Sequence, residues 1–170
     1  MDMMVRTCNR RRSRALLEAG SCRTVCALGR AGIRPEHREG DGATPAGRYP
    51  VRMAFYRPDR LPRPGGPLAK TPLRPDFGWC DDPRSPLYNR PVRLPFAGSA
   101  EHLWREDHLY DVIVVLGIND DPVLRGKGSA LFFHIARPGH APTEGCIAIS
   151  MAAMRKILPR ITPSSHMIIG

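Results

Sequence analysis

Phe132-Phe133-His134-Ile135-Ala136-Arg137-Pro138-Gly139-His140-Ala141-Pro142-Thr143-Glu144-Gly145-Cys146-Ile147-Ala148-Ile149 is the stretch around which the rest of the chain is read. An apolar, strand-like run delivers His134. Pro138-Gly139 and Ala141-Pro142 then turn the chain, and Gly145-Cys146 leads into a second apolar run. A free thiol has a pKa near about 8.5, so a nucleophilic cysteine needs a base or a positive field beside it. His134, twelve residues before Cys146, lies where its ring can meet the returning loop as general base. Gly145 leaves the local backbone N–H groups open to a carbonyl oxygen, as an oxyanion donor requires. Thr143 is the orienting residue, acting on a ring nitrogen or on the loop.

Other readings of the same residues stand beside this one. Cys-Ile-Ala-Ile is an ordinary setting for a buried thiol, and a histidine at a strand end is usually structural. A metal site from His134, His140, Glu144 and Cys146, or from His102, His108 and Asp111, matches no common zinc spacing.

Working outward, Ser150 caps a short helix with Met151, Met154, Ile157 and Leu158 at helical spacing, stopped by Pro159. Met167-Ile168-Ile169 is a last strand. Upstream, Tyr110 to Leu116 is apolar at consecutive positions, which predicts a strand buried on both faces. It forms a hairpin with the strand from Gly128 to Ile135. Ala100 to His108 is expected to be a short helix. Residues 57–96 are dense in proline, with little regular structure expected; the span 57–105 is a Pro-rich insertion or capping loop. Arg48 to Tyr56 reads as a strand, with Pro50 at an edge or bulge. Residues 29–47 read as a surface loop, and Ser13 to Leu28 as a hairpin. Residues 1–12 are expected to be a loose basic arm, leaving one domain over 13–170. The whole predicts a mainly β fold with one or two short helices.

At 170 residues and 42% hydrophobic, the chain can bury a core. Its net charge of +10 is almost entirely arginine, with lysine only at 70, 127 and 156. Such a surface favours an acidic partner. Aromatics at 6% give no base-stacking pattern, so nucleic acid is not expected as a partner. Five cysteines form no disulfide framework, and Cys22 and Cys26 read as ordinary buried thiols. No run reaches the roughly 18 apolar residues of a membrane span, and Glu18 and Arg23 break the apolar stretch that a signal peptide would need.

Two separated motifs add a resemblance. Asp41-Gly42-Ala43-Thr44-Pro45-Ala46-Gly47-Arg48-Tyr49-Pro50-Val51 is similar to the Thr-Pro-x-Gly-x-Phe/Tyr-x-hydrophobic strand start of the L,D-transpeptidase catalytic domain (YkuD-like) family. His134 followed by Thr143-Glu144-Gly145-Cys146-Ile147 resembles its histidine and Ser/Thr-His-Gly-Cys-hydrophobic signature. The order and the helix after the cysteine also fit, over roughly residues 14–170. Glu144 departs from the family's second histidine and Ala148 from a common Arg or Asn, and the gap between His134 and Cys146 is shorter than usual.

The resemblance implies a β-sandwich-like fold and peptidoglycan stem peptides as partner. Cys146 is then the nucleophile and His134 the base. A thioester forms as D-alanine leaves a tetrapeptide stem, and no cofactor or metal is needed. Transfer to an amine makes a cross-link; transfer to water is L,D-carboxypeptidase activity. A non-catalytic basic peptidoglycan-binding module is the alternative from another class. Arg137, Arg48 and Arg90 are candidates for the substrate's carboxylates, and Glu144 also belongs to the substrate-binding set, pointing away from Cys146 or paired with an arginine such as Arg137. The family implies the cell envelope or periplasm, although the sequence as written shows no signal peptide and on its own would stay in the cytoplasm. A monomer is expected.

Overall fold

A computed structural model describes residues 1–7, 12–36 and 38–170. In chain order the strands are β1 (Met3–Thr7), β2 (Arg14–Ala19), β3 (Cys22–Ala27), β4 (Ile33–Arg34), β5 (Thr44–Pro45), β6 (Gly47–Tyr56) and β7 (Lys70–Pro72). They continue as β8 (Phe77–Cys80), β9 (Pro91–Arg93), β10 (Ala100–His102), β11 (Val112–Leu116), β12 (Phe132–Ile135), β13 (Ile147–Ile149) and β14 (His166–Ile169). One short helix, α1 (Met151–Ile157), follows β13. The mainly β reading holds.

A nine-stranded sheet runs β11-β12-β13-β3-β2-β1-β14-β6-β7, and β6 also pairs with β11, so the sheet closes on itself. β6 makes this possible because it changes partners along its length. Gly47 to Pro50 pair with β14, and Val51 to Tyr56 pair with β11. The register slips between Val115 and Leu116, next to Pro50, which has no N–H to give a ladder. The extra residue is Arg52, between Met53 and Val51, and Pro50 itself pairs with His166, so the bulge lies two residues beyond the expected position.

Period-two alternation sorts the side chains into two cores. Met3, Val5, Leu17, Val112, Val114, Phe133, Ile135, Ile147 and Ile149 fill the main cluster, with Met154 and Ile157 of α1 packed into it. Ser150 caps that helix, accepting from the Ala153 N–H at 3.2 Å. The alternate positions, Ile113, Val115 and Phe132, face a second cluster with Phe55, Trp79, Leu103 and Tyr110.

Four further expectations are corrected. Residues 3–7 are no loose arm: β1 lies between β2 and β14, with Met3 and Val5 buried. The run at 8–11 lies outside the described residues. Ala100 to His108 is not a helix: β10 pairs with β8, and with β9 it forms a three-stranded sheet. The Pro-rich segment therefore carries four strands, too short to show a period in sequence. The expected surface loop at 29–47 contains the β4–β5 pair, and Ala43 and Thr44 are fully buried. Finally, Cys26 is buried but Cys22 is only half-buried.

Placing β1 inside the sheet has a measurable consequence. Met3→Ala should cost about 2–5 kcal/mol in urea unfolding, as buried methionine truncations do. A loose arm would give a change within about 0.5 kcal/mol.

Candidate active site

β12 and β13 are parallel neighbours in the register Phe133↔Ile147, His134↔Ala148. Phe133 and Ile147 point into the main core, so His134, Ala148 and, just before the strand, Cys146 are turned to the opposite side. There they line one cleft of about 160 Å³ with Glu101, Arg105, Leu109, Tyr110 and Arg137. Thr143 and Glu144 stand at its loop side. A larger groove of about 490 Å³ lies between α1 and residues 61–65, but it is lined mostly by apolar groups and carries no nucleophile.

The His134 ring is buried, packed edge-on against Tyr110 at 5.2 Å between centroids. Its Nδ1 lies 2.9 Å from the Ile135 carbonyl. A carbonyl only accepts, so Nδ1 carries the proton and Nε2 is left as the basic nitrogen. Burial holds the imidazole down at about 4, and the positive charges of Arg105 and Arg137 add to this against backbone contacts with Ile135 and Leu109. The Cys146 Sγ donates to the Ala130 carbonyl at 3.3 Å and accepts from the Phe132 N–H at 3.4 Å. His134 is not among its hydrogen-bond partners. Burial, reinforced by the Glu101 carboxylate, pushes the thiol up to about 12. At neutral pH the resting pair is a neutral thiol beside a neutral imidazole.

The loop before Cys146 is fixed by Thr143 and Thr44. The Thr143 hydroxyl donates to the Cys146 carbonyl at 2.6 Å and accepts from the Gly145 N–H at 3.2 Å. Thr143 thus orients the loop, not the ring. The Gly145 amide expected as an oxyanion donor is engaged by that hydroxyl at rest. Thr44, fully buried, accepts from the Gly29 N–H and donates to the Gly145 carbonyl, both at 2.8 Å. Gly145 has φ +141°, and a Cβ there would stand 2.8 Å from the Ala43 carbonyl oxygen, so this position needs glycine.

The other expected residues separate. Arg137 lines the cleft. Arg48 lies on β6 against Asp2 and His166, and Arg90 donates to the Asp120 carbonyl at 2.9 Å; neither lines it. Glu144 pairs with Arg30, not Arg137, and is largely exposed. The carboxylate that acts on the thiol is Glu101, which sequence reasoning passed over inside the expected helix. Asn89 was also missed. Its Oδ1 accepts from Trp79 Nε1 at 3.0 Å and the Ala130 N–H at 3.1 Å, and its Nδ2 donates to Ile118 and Asn119 carbonyls. It ties the small sheet to the residue whose carbonyl holds the thiol. Among the described residues, no group of three or more His, Cys, Asp or Glu is placed to hold a metal ion.

With this geometry in hand, comparison with known families decides the lineage. The family model YkuD, L,D-transpeptidase catalytic domain, matches residues 8–169. The chain belongs to this family. Comparisons with curated proteins and with solved structures gave no match.

Two outcomes follow from the site. Thr44→Val keeps the shape but leaves the Gly29 N–H and the Gly145 carbonyl without their buried partner. It should cost about 1–3 kcal/mol in urea unfolding. The second concerns pH. His134 has its pKa lowered in the folded state, so its stabilising contribution is present above the unfolded value, about 6.5, and is lost as pH falls toward 4. Between pH 7 and pH 4 this should remove on the order of 3 kcal/mol. The loss should be smaller in His134→Gln, read as urea midpoints against pH.

Proposed function

We propose that this protein is a cysteine acyltransferase of peptidoglycan, acting on tetrapeptide stems through a Cys146 thioester with release of D-alanine. The observation that carries this reading is the placement of Cys146 and His134 on one face of adjacent parallel strands, lining one cleft. Family membership supports the reaction class.

The charges constrain the mechanism. Burial pushes the thiol up and the imidazole down, so a preformed thiolate–imidazolium pair is disfavoured at rest. The proton therefore moves from Sγ to Nε2 as the sulfur attacks the amide carbon, not before. The tetrahedral oxyanion takes backbone N–H groups at 145 and 146, which requires Gly145 to exchange its bond to Thr143. The imidazolium then protonates the departing D-alanine nitrogen, and the thioester remains. An amine acceptor resolves it into a cross-link; water resolves it into a tripeptide. Peptidoglycan as substrate places this work in the cell envelope. No helix among the described residues is long and apolar enough to cross a membrane. Residues 57–105 act as a cap: their small sheet packs Trp79 against Phe132 at 5.3 Å, beside the cleft.

Wild type incubated with tetrapeptide muropeptide should show the acyl adduct by intact-protein mass spectrometry, with D-alanine in solution. Cys146→Ala should show no adduct and a release rate lower by a factor on the order of 10⁴ or more. Full turnover by Cys146→Ala would end the proposal. Mass spectrometry of the muropeptides separates dimers from tripeptides.

A further inference from the structure

The groove of about 490 Å³ between α1 and residues 61–65 lies on the main-core side of the fold, apart from the cleft. β11 marks the division. Val112 lines the groove and packs in the main cluster, while its neighbour Ile113 faces the cluster against which Cys146 packs. Val112, Met154 and Leu158 are each no more than 2% exposed and belong to the main cluster, so the groove floor is continuous with the core. Leu61 and Met151, partly buried, pack against that floor from the two walls. The volume falls within the roughly 300–1,000 Å³ of small-ligand sites, which are mostly apolar with a few polar groups.

The charged groups of the lining are all cationic. Arg63 stands on the loop wall and Arg155 on α1; both are exposed, and neither has a hydrogen bond or ion pair among the described residues. No Asp or Glu lines the groove. Beside the loop wall Lys70 is buried, its Nζ donating to the Gly66 and Leu68 carbonyls at 2.8 and 2.7 Å. Burial lowers the Lys70 ammonium, and the positive charge of Arg63 adds to that. Three cations with no carboxylate partner among the described residues thus stand at or beside an apolar channel. That arrangement is complementary to an anion carrying an apolar tail.

The walls narrow the occupant. Prolines at 62 and 64 interrupt the non-helical wall, so it offers no continuous row of N–H groups to a peptide added as a strand. A membrane surface takes up apolar groups that protrude, whereas here they form a floor. The exposed large apolar side chains among the described residues, Val25, Leu87 and Leu124, do not line the groove. We propose that the groove binds a free single-chain carboxylate, a fatty acid, with its chain over Val112, Met151 and Met154 and its head group at Arg63 and Arg155. Apolar burial supplies most of the affinity, and the guanidinium forks, which match the two oxygens of a carboxylate, select the head group. Cys146 takes no part, so the assignment is independent of the acyl-transfer reading.

The test is methionine-methyl NMR on the full chain, titrated with decanoate and with decyltrimethylammonium, a chain of like length under a cationic head, both below micelle formation. Met151 and Met154 report on the groove, and Met3 and Met167, buried elsewhere in the main cluster, report on general perturbation. Decanoate should shift the first pair saturably and leave the second unmoved. Decyltrimethylammonium should bind about tenfold more weakly or worse, since the arginines repel its head. Arg63→Gln combined with Arg155→Gln, both at exposed positions, should weaken decanoate by about tenfold and leave the cationic amphiphile no weaker. Met151→Glu puts an acid in the first turn of α1, where the helix dipole favours it. It should weaken decanoate and strengthen decyltrimethylammonium, read at Met154. Equal binding of the two amphiphiles, equal shifts at all four methyls, or unchanged decanoate binding in the arginine variant would overturn the assignment. Arginine-dependent cosedimentation with phosphatidylglycerol vesicles, without saturable decanoate shifts, would overturn it in favour of a membrane contact. The wild-type comparison of the two head groups decides even if a variant does not fold.

Discussion

The register between β12 and β13 is the constraint on which the rest depends. Phe133 opposite Ile147 sends both into the main core, and the pleat then obliges His134 and Cys146 to share the other face. A slip of β12 by one residue would bury the imidazole among Leu17, Val114 and Ile149, and turn Phe133 to the cleft. Parallel strands cannot be joined by a tight hairpin, so a crossover must intervene. The loop at 136–146 supplies it, and that loop carries Arg137, Thr143 and Glu144 to the cleft. One pairing choice therefore fixes the thiol, the imidazole and one wall of the cleft.

Electrostatics around that pair run against the overall charge. The chain is strongly basic, yet the group with the clearest influence on the thiol, after burial, is an acid, Glu101. Arg105 and Arg137 act on the imidazole in the opposite sense, holding it neutral. Both groups are thus kept in their uncharged forms at rest. This favours a protein whose thiol is quiet toward adventitious electrophiles and is activated only when a bound carbonyl gives the sulfur's electrons somewhere to go.

Legibility in the sequence followed element length and burial. β11, β12 and α1 announced themselves through apolar runs, helical spacing and a serine cap, and their pairing as a hairpin was readable. β7, β9 and β10 have three residues each, too few for any period to register. Proline density made that segment look unstructured, although Pro72 and Pro91 sit at strand ends, where a missing N–H costs little. β1 was hidden by its neighbours: an arginine-rich run follows it, and only Met3 and Val5 are apolar and buried. At the site, Cys146 and His134 were legible because their chemistry is rare. Glu101 was not, because an acid in a supposed helix reads as a solvated face until the sheet shows which way it points. Asn89 was invisible for a similar reason. Its value lies in satisfying four partners at once, and only the assembled fold puts those partners together.

The two sequence motifs have a physical reason to occur together. Thr44, in the first, and Gly145, in the second, are 101 residues apart and joined by one buried hydrogen bond of 2.8 Å. Ala43 presses its carbonyl to where a Cβ of residue 145 would stand, so the first motif dictates glycine in the second. The Thr44 hydroxyl spends its single proton on the Gly145 carbonyl and takes the Gly29 N–H on its oxygen, which locks β5 to the loops at Gly29 and Gly145. Neither motif binds the other through charge or bulk, so no composition or periodicity signal could link them. What links them is that a glycine with φ +141° just before the cysteine needs its carbonyl satisfied in the interior. The threonine before Pro45 is the residue that does so, and it thereby sets the angle at which Cys146 enters the cleft.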